Sequence, residues 1–274
     1  MYISSDSQNL DSATWYGQGN ALYDVGCYEA AIAKFDKVLS EDPRNWEAWL
    51  RRGYALQELK AYSLAIESFQ SALQIQPKNS LAWHGLGVAQ AKLGDYEAAL
   101  DSFNQALRFD PEDAKAWYNH GNALIRLNRY REAISSFDRA LDLKPESHRA
   151  WYNRALALAA LRRYPEAVHS LETTVTLKQD CYYAWNYRGL VLNKMQRYEE
   201  ALLSFDKALQ YRTPNPNAWY GRAITYALQG DAVQSVENLR EAIDLSPNLY
   251  RVMAKTDPSF DPIRGDAGLQ ALLL

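Results

Sequence analysis

Apolar and small residues recur along the chain at spacings of three and four. Trp117, Gly121 and Leu124 share one helical face, and Tyr130, Ala133, Ile134, Phe137, Ala140 and Leu141 share a second. Between such stretches lies a short turn, often with Gly or Asp, as in Leu93-Gly94-Asp95-Tyr96. A proline commonly follows the second stretch and stops it. The pattern predicts pairs of short amphipathic helices. The longest apolar run, Ala155 to Leu161, is bracketed by Arg154 and Arg162 and falls well short of the ~18–20 residues that span a bilayer.

The pairs repeat. Trp15, Trp49, Trp83, Trp117, Trp151, Trp185 and Trp219 are spaced by 34 residues without insertion. With Trp at position 4, seven repeats run over 12–45, 46–79, 80–113, 114–147, 148–181, 182–215 and 216–249. Position 8 is small throughout, Gly19, Gly53, Gly87, Gly121, Ala155, Gly189 and Ala223. Position 17 is Tyr in six copies, and position 24 is Phe35, Phe69, Phe103, Phe137, Leu171, Phe205 and Leu239. Position 32 is Pro except at Gln179 and Thr213, where the break shifts to Pro214-Asn215-Pro216 and the junctions are expected to differ. One such hairpin is too short to bury its own faces, so the copies must stack. The expectation is a single elongated stack.

Residues 1–11 are expected to form a flexible lead. The tail, 250–274, departs from the repeat. Asp257-Pro258 and Asp261-Pro262 each read as a helix cap followed by Pro at the first helical position. Phe260, Ile263, Leu269 and Leu272 are placed to cover the open apolar face of the seventh repeat.

The pattern W-x2-[LR]-G-x2-[LY], then Y, A, F, A and P over 34 residues, resembles the tetratricopeptide repeat over residues 12–249. The Trp-rich wording, as in Ala116-Trp117-Tyr118-Asn119, is similar to that of cyanobacterial and other bacterial members. The resemblance implies an all-α fold, an α-α superhelix or solenoid of helix-turn-helix repeats. The tail resembles the D-x-x-F-D-x-[IL]-R segment that closes many such arrays.

Composition sharpens this picture. The chain has 274 residues, 8 Trp, 19 Tyr and only 7 Phe, and its formal net charge is −3. The aromatic surplus is mostly repeat packing, and the acidic balance disfavours nucleic acid. No signal peptide is read at the N-terminus, and two cysteines suit a reducing compartment, so the cytoplasm is expected. His84, His120, His148 and His169 fall at unrelated repeat positions with no metal-ligand spacing. No nucleophile elbow, phosphate loop or dinucleotide fingerprint occurs. No catalytic residue, metal or cofactor is expected.

The resemblance implies that first helices line a groove through positions 2, 5, 9, 12 and 13. These share a face offset from the packing positions 4, 8 and 11. Position 5 carries Tyr16, Tyr118, Tyr152 and Tyr220, and Tyr suits peptide recognition. Repeats four to six carry 16 Lys and Arg against 10 Asp and Glu, whereas repeat three alone is −4. Arg129, Arg131, Arg163 and Arg197 lie at helix turns and are expected to solvate the outer surface. The candidate peptide-binding residues are therefore Lys115, Tyr118, Asn122, Arg126, Arg149, Tyr152, Asn186 and Lys194. Their expected partner is an extended, acidic segment of another protein. The family's carboxylate clamp for chaperone tails uses Lys at position 5. Tyr118 stands there beside the Asn122 and Asn153 pair, which argues against that ligand. The function expected is a non-catalytic scaffold or assembly factor. A regulatory sensor of a small peptide, an RNA-binding helical repeat and self-association are the alternatives.

Overall fold

The computed structural model describes the backbone from Ser5 to Leu274 and the side chains from Asp11 onward. Fourteen helices alternate in pairs: α1 (Ser5–Asp24), α2 (Tyr28–Glu41), α3 (Trp46–Glu58), α4 (Tyr62–Ile75), α5 (Ser80–Leu93), α6 (Tyr96–Phe109), α7 (Ala114–Arg126), α8 (Tyr130–Leu143), α9 (His148–Ala160), α10 (Tyr164–Leu177), α11 (Tyr182–Lys194), α12 (Tyr198–Tyr211), α13 (Pro216–Gln229) and α14 (Ala232–Leu245). A tail of α15 (Pro247–Thr256), a 3-10 helix (Pro258–Ile263) and α16 (Ala267–Leu273) follows. Among the described residues there is no strand, and no helix is long and apolar enough to cross a membrane. The fold class is the all-α solenoid. Part of the expected lead, residues 1–4, lies outside the described residues. Helix α1 already runs through 5–11, where no Gly or Pro interrupts it.

Local signals place the helix ends. From α3 onward, first helices start at repeat position 1, and Asn45, Asn79, Asp113, Ser147 and Asn215 at position 34 accept a hydrogen bond from the backbone N–H three residues on. Cys181 occupies the same place before α11 without capping it. The turn between paired helices always has positive φ at position 15: Gly26, Gly94 and Gly230, but also Lys60, Asn128, Arg162 and Gln196 near 60°. Glycine meets that backbone most cheaply, and four other residues are held there by the packing around them.

The chain divides into two compact bodies, Met1–Lys144 and Pro145–Leu274. No composition shift marks the division. In the first body, paired helices pack side by side and α3 touches α5 as α5 touches α7, so first helices line one face. The second body repeats this arrangement and carries the tail.

The core is built on position 24. Phe35, Phe69, Phe103, Phe137 and Phe205 are fully buried. A Cβ added at Gly19, Gly53, Gly87, Gly121 or Gly189 would lie 2.5–2.7 Å from the nearest atom of its repeat's Phe ring. Where position 8 is Ala, at Ala155 and Ala223, position 24 is the smaller Leu171 and Leu239. Trp indoles at position 4 donate to the position-32 carbonyl of the preceding repeat: Trp49 to Pro43, Trp83 to Pro77, Trp117 to Pro111, Trp151 to Pro145 and Trp185 to Gln179, at 2.8–3.0 Å. That bond uses only a carbonyl, so Gln179 serves as well as proline.

The tail closes the last repeat. Phe260, Ile263 and Leu269 are buried against Tyr220, Ile224, Leu239 and Ile243, with Leu272 packed at the margin. Asp257 caps the 3-10 helix through Ser259 N–H at 2.9 Å. Asp261-Pro262 is not a helix start, contrary to the expectation from its sequence. Pro262 lies inside the 3-10 helix, Asp261 takes the Arg264 guanidinium at 2.8 Å, and Asp266 caps α16 instead.

Candidate functional site

Each body carries a cleft on the face lined by its own first helices. In the first body the cleft is about 180 Å³, set between α5, α6 and α7. Val88, Phe103 and Ala123 form its floor, and Lys92, Asn119, Asn122 and Arg126 its rim. Arg126 is exposed, donates to the Tyr96 hydroxyl at 3.1 Å and lies over the Tyr96 ring at 5.3 Å. The guanidinium is thereby held at the rim. Lys115 is exposed at the opposite end of α7, about three turns before Arg126. Tyr118 is half-buried, its ring 6.1 Å from Phe137.

At the other end of α5, His84 bridges the Asp113 carboxylate (3.1 Å) and the Asn119 side chain (2.9 Å). Burial opposes the charged form of Asp113, but the hydrogen bond from His84 and two backbone N–H groups hold it below the usual carboxylate range. This pair orders the start of α7.

In the second body the cleft is about 560 Å³. Tyr164, Tyr187 and Tyr198 wall it, Leu190, Val191, Ile224 and Leu228 floor it, and Lys194 stands exposed at its rim. Asp257 and Ser259 of the tail close one end. Tyr220, whose hydroxyl donates to Asp257 at 3.0 Å, is held well above the usual tyrosine range, first by burial and then by that carboxylate. Tyr152 stacks edge-on against Tyr183 at 4.8 Å and Tyr187 at 6.1 Å, and burial pushes its hydroxyl up to about 12. Arg149 is exposed at the start of α9.

Asn186 departs from the groove pattern. It is 7 % exposed, and its amide donates to Asn215 at 3.3 Å. Position 5 leans inward onto the Phe of position 24, so a short side chain there is covered. The candidate residues are thus divided. Lys115, Tyr118, Asn122 and Arg126 belong to the first body, with Asn122 and Arg126 in its cleft; Arg149, Tyr152, Asn186 and Lys194 belong to the second, with Lys194 in its cleft.

Two features escaped the sequence reading. Position 17 looks like a packing residue in the periodicity, yet Tyr96, Tyr164 and Tyr198 wall the clefts. The helix-turn arginines are spent locally: Arg129 pairs with Glu132, Arg163 with Glu166 and Arg197 with Glu200, each three residues on. The i, i+3 spacing of these charges is the signal that reveals them.

Family models described as tetratricopeptide repeat match residues 16–80, 118–175, 156–215 and 194–249, and a further one matches 80–113. The curated proteins offer no significant match. Among solved structures, the chain is similar to YrrB, described as a TPR protein with an unusual peptide-binding site, at 25% identity and TM-score 0.60, over 70% of this chain and 100% of that one. It is also similar to a tetratricopeptide repeat protein from Parabacteroides merdae, at 19% identity and TM-score 0.65, over 92% and 98% of the two chains. The C-terminal part of a TPR repeat-containing protein from Cytophaga hutchinsonii aligns at 17% identity and TM-score 0.70, over 91% and 99%. With the family models covering most of its length, the chain belongs to the tetratricopeptide repeat family.

Proposed function

We propose that this protein is a non-catalytic scaffold that holds extended, acidic segments of partner proteins on the face lined by its first helices. The observation that carries the reading is the common make-up of the two clefts. Each has an apolar floor, a position-17 tyrosine wall and a position-13 cation at the rim, Lys92 and Arg126 in one and Lys194 in the other. Apolar floor and aromatic wall suit side chains of an extended peptide, and the rim cations favour carboxylates. The likeness to YrrB supports a peptide as ligand. Lys115 and Arg149, exposed at the starts of α7 and α9, are further candidate cations.

The test is selection from a random display library of twelve-residue peptides. The native chain should enrich Asp- and Glu-rich sequences. Arg126→Glu with Lys194→Glu, both at exposed positions, should lose that enrichment while keeping the helical melt. Unchanged selection by the double variant, or enrichment of basic peptides by the native chain, refutes the reading.

A further inference from the structure

The first body carries a second cleft, lined by different residues, whose shape has a template elsewhere in the chain. In most repeats a cation sits over the Trp of position 4. Arg52 donates to Ser68 at 2.7 Å and pairs with Asp36 of the preceding repeat at 2.7 Å, its guanidinium 5.6 Å from the Trp49 ring. Arg188 bridges Ser204 and Glu172 in the same way but is not seated over Trp185, and Arg222, which lies over Trp219, bridges Asn238 and Asp206. Arg154 reaches Ser170 and covers Trp151. Where position 7 is not Arg, position 26 supplies the cation: Lys37 lies over Trp15 and Arg139 over Trp117.

Repeat three lacks both. Position 7 is Leu86 and position 26 is Gln105, and among the described residues no cation covers Trp83. The rest of the seat is present. Ser102 stands at position 23, bonded to Gln90 at 2.6 Å, and Gln70 stands where the preceding repeat elsewhere offers its carboxylate. Asp101 is exposed beside them with no ion pair among the described residues. A cleft of about 1150 Å³ opens over this seat, between α4, α5 and α6.

We infer that this cleft receives an arginine side chain from a protein partner, seated over Trp83 where the chain's own guanidiniums seat in other repeats. The charge agrees: repeat three holds Lys92 and Arg108 against six carboxylates, including Asp101, Asp95 and Glu97. A guanidinium stacks on an indole and donates in several directions, which suits a ring face bordered by a carboxylate and carboxamide oxygens. An acidic ligand would meet repulsion here, so this site and the proposed peptide clefts take opposite charges and stand or fall separately.

The test uses the full chain labelled with nitrogen-15 and three blocked tripeptides, acetyl-Gly-X-Gly-amide with X as arginine, citrulline or lysine. The arginine peptide should shift the Trp83 indole N–H, assigned through Trp83→Phe, and saturate at roughly millimolar concentration, as expected for one anchored side chain. Citrulline has the shape without the charge, and lysine the charge without the planar fork. Both should bind at least tenfold more weakly. Leu86→Arg supplies the missing guanidinium and should abolish the response. Gln105→Lys, at a partly exposed position, copies the Lys37 arrangement and should do the same without touching the core. Equal response to all three peptides, no shift at Trp83, or an undiminished response in Gln105→Lys overturns the inference.

Discussion

The pairing of Gly at position 8 with Phe at position 24 is a steric exchange between two residues. At Gly121 an added Cβ would lie 2.7 Å from Phe137 Cε1, closer than real side-chain contacts allow. Overpacking of this kind costs about 1–3 kcal/mol. Gly121→Ala alone should therefore destabilise the protein by about that amount. Gly121→Ala with Phe137→Leu reproduces the Ala155 and Leu171 pair of repeat five and should cost less than the sum of the single changes by about 1 kcal/mol or more. A urea denaturation cycle over the four proteins measures this, and strict additivity would contradict the steric account. Both columns of residues are plain in the sequence as small and large. Their exchange is written there too, but it becomes a reason only when the ring is seen lying against the glycine backbone. Asn186 shows the reverse case, because no feature of its sequence position distinguishes it from Tyr118 or Tyr152.

Five of the helix pairs are tied across their own hairpin by position 7, through Arg52, His120, Arg154, Arg188 and Arg222. Repeat four uses His120, whose Nδ1 lies 2.9 Å from the Ser136 hydroxyl and joins α7 to α8. Because that hydroxyl donates to the Glu132 carbonyl, the ring nitrogen is the donor. Burial, with Arg129 assisting, lowers the His120 pKa to about 4. An unfolded histidine titrates near 6.5. Between those values the unfolded chain binds a proton that the folded chain refuses, so stability is full above about pH 6.5 and falls as the pH drops toward 4. The urea midpoint should fall more steeply between pH 7 and pH 5 in the native chain than in His120→Gln, which does not titrate. Parallel curves would remove His120 from the account. Along the sequence, position 7 varies among Gln, Arg, Leu and His. Its variation is chemical, since Arg and His both reach the serine of position 23, and that reach is set by how closely the two helices pack.

For the molecule as a whole, a stack of repeats gains stability from neighbour to neighbour and must be finished at its ends. The tail does this with Phe260, fully buried and 5.9 Å from the Tyr220 ring. Phe260→Ala should cost about 3–5 kcal/mol. The loss should be local, with amide protection falling in α13 and α14 while α9 and α10 keep theirs, as hydrogen exchange would read. Even loss of protection across the second body would show that the tail is not an end cap in this sense. The helix pairs and the burial of Phe260, Ile263 and Leu269 were legible in the sequence, because they follow from periodicity, caps and breakers that act within a few residues. The walls of the clefts, the burial of Asn186, the local pairing of Arg129, Arg163 and Arg197, and the uncovered ring of Trp83 were decided by the tertiary structure. Each depends on the side chain that a neighbouring helix brings alongside, and the distance between helices is set by packing rather than by the order of residues along the chain.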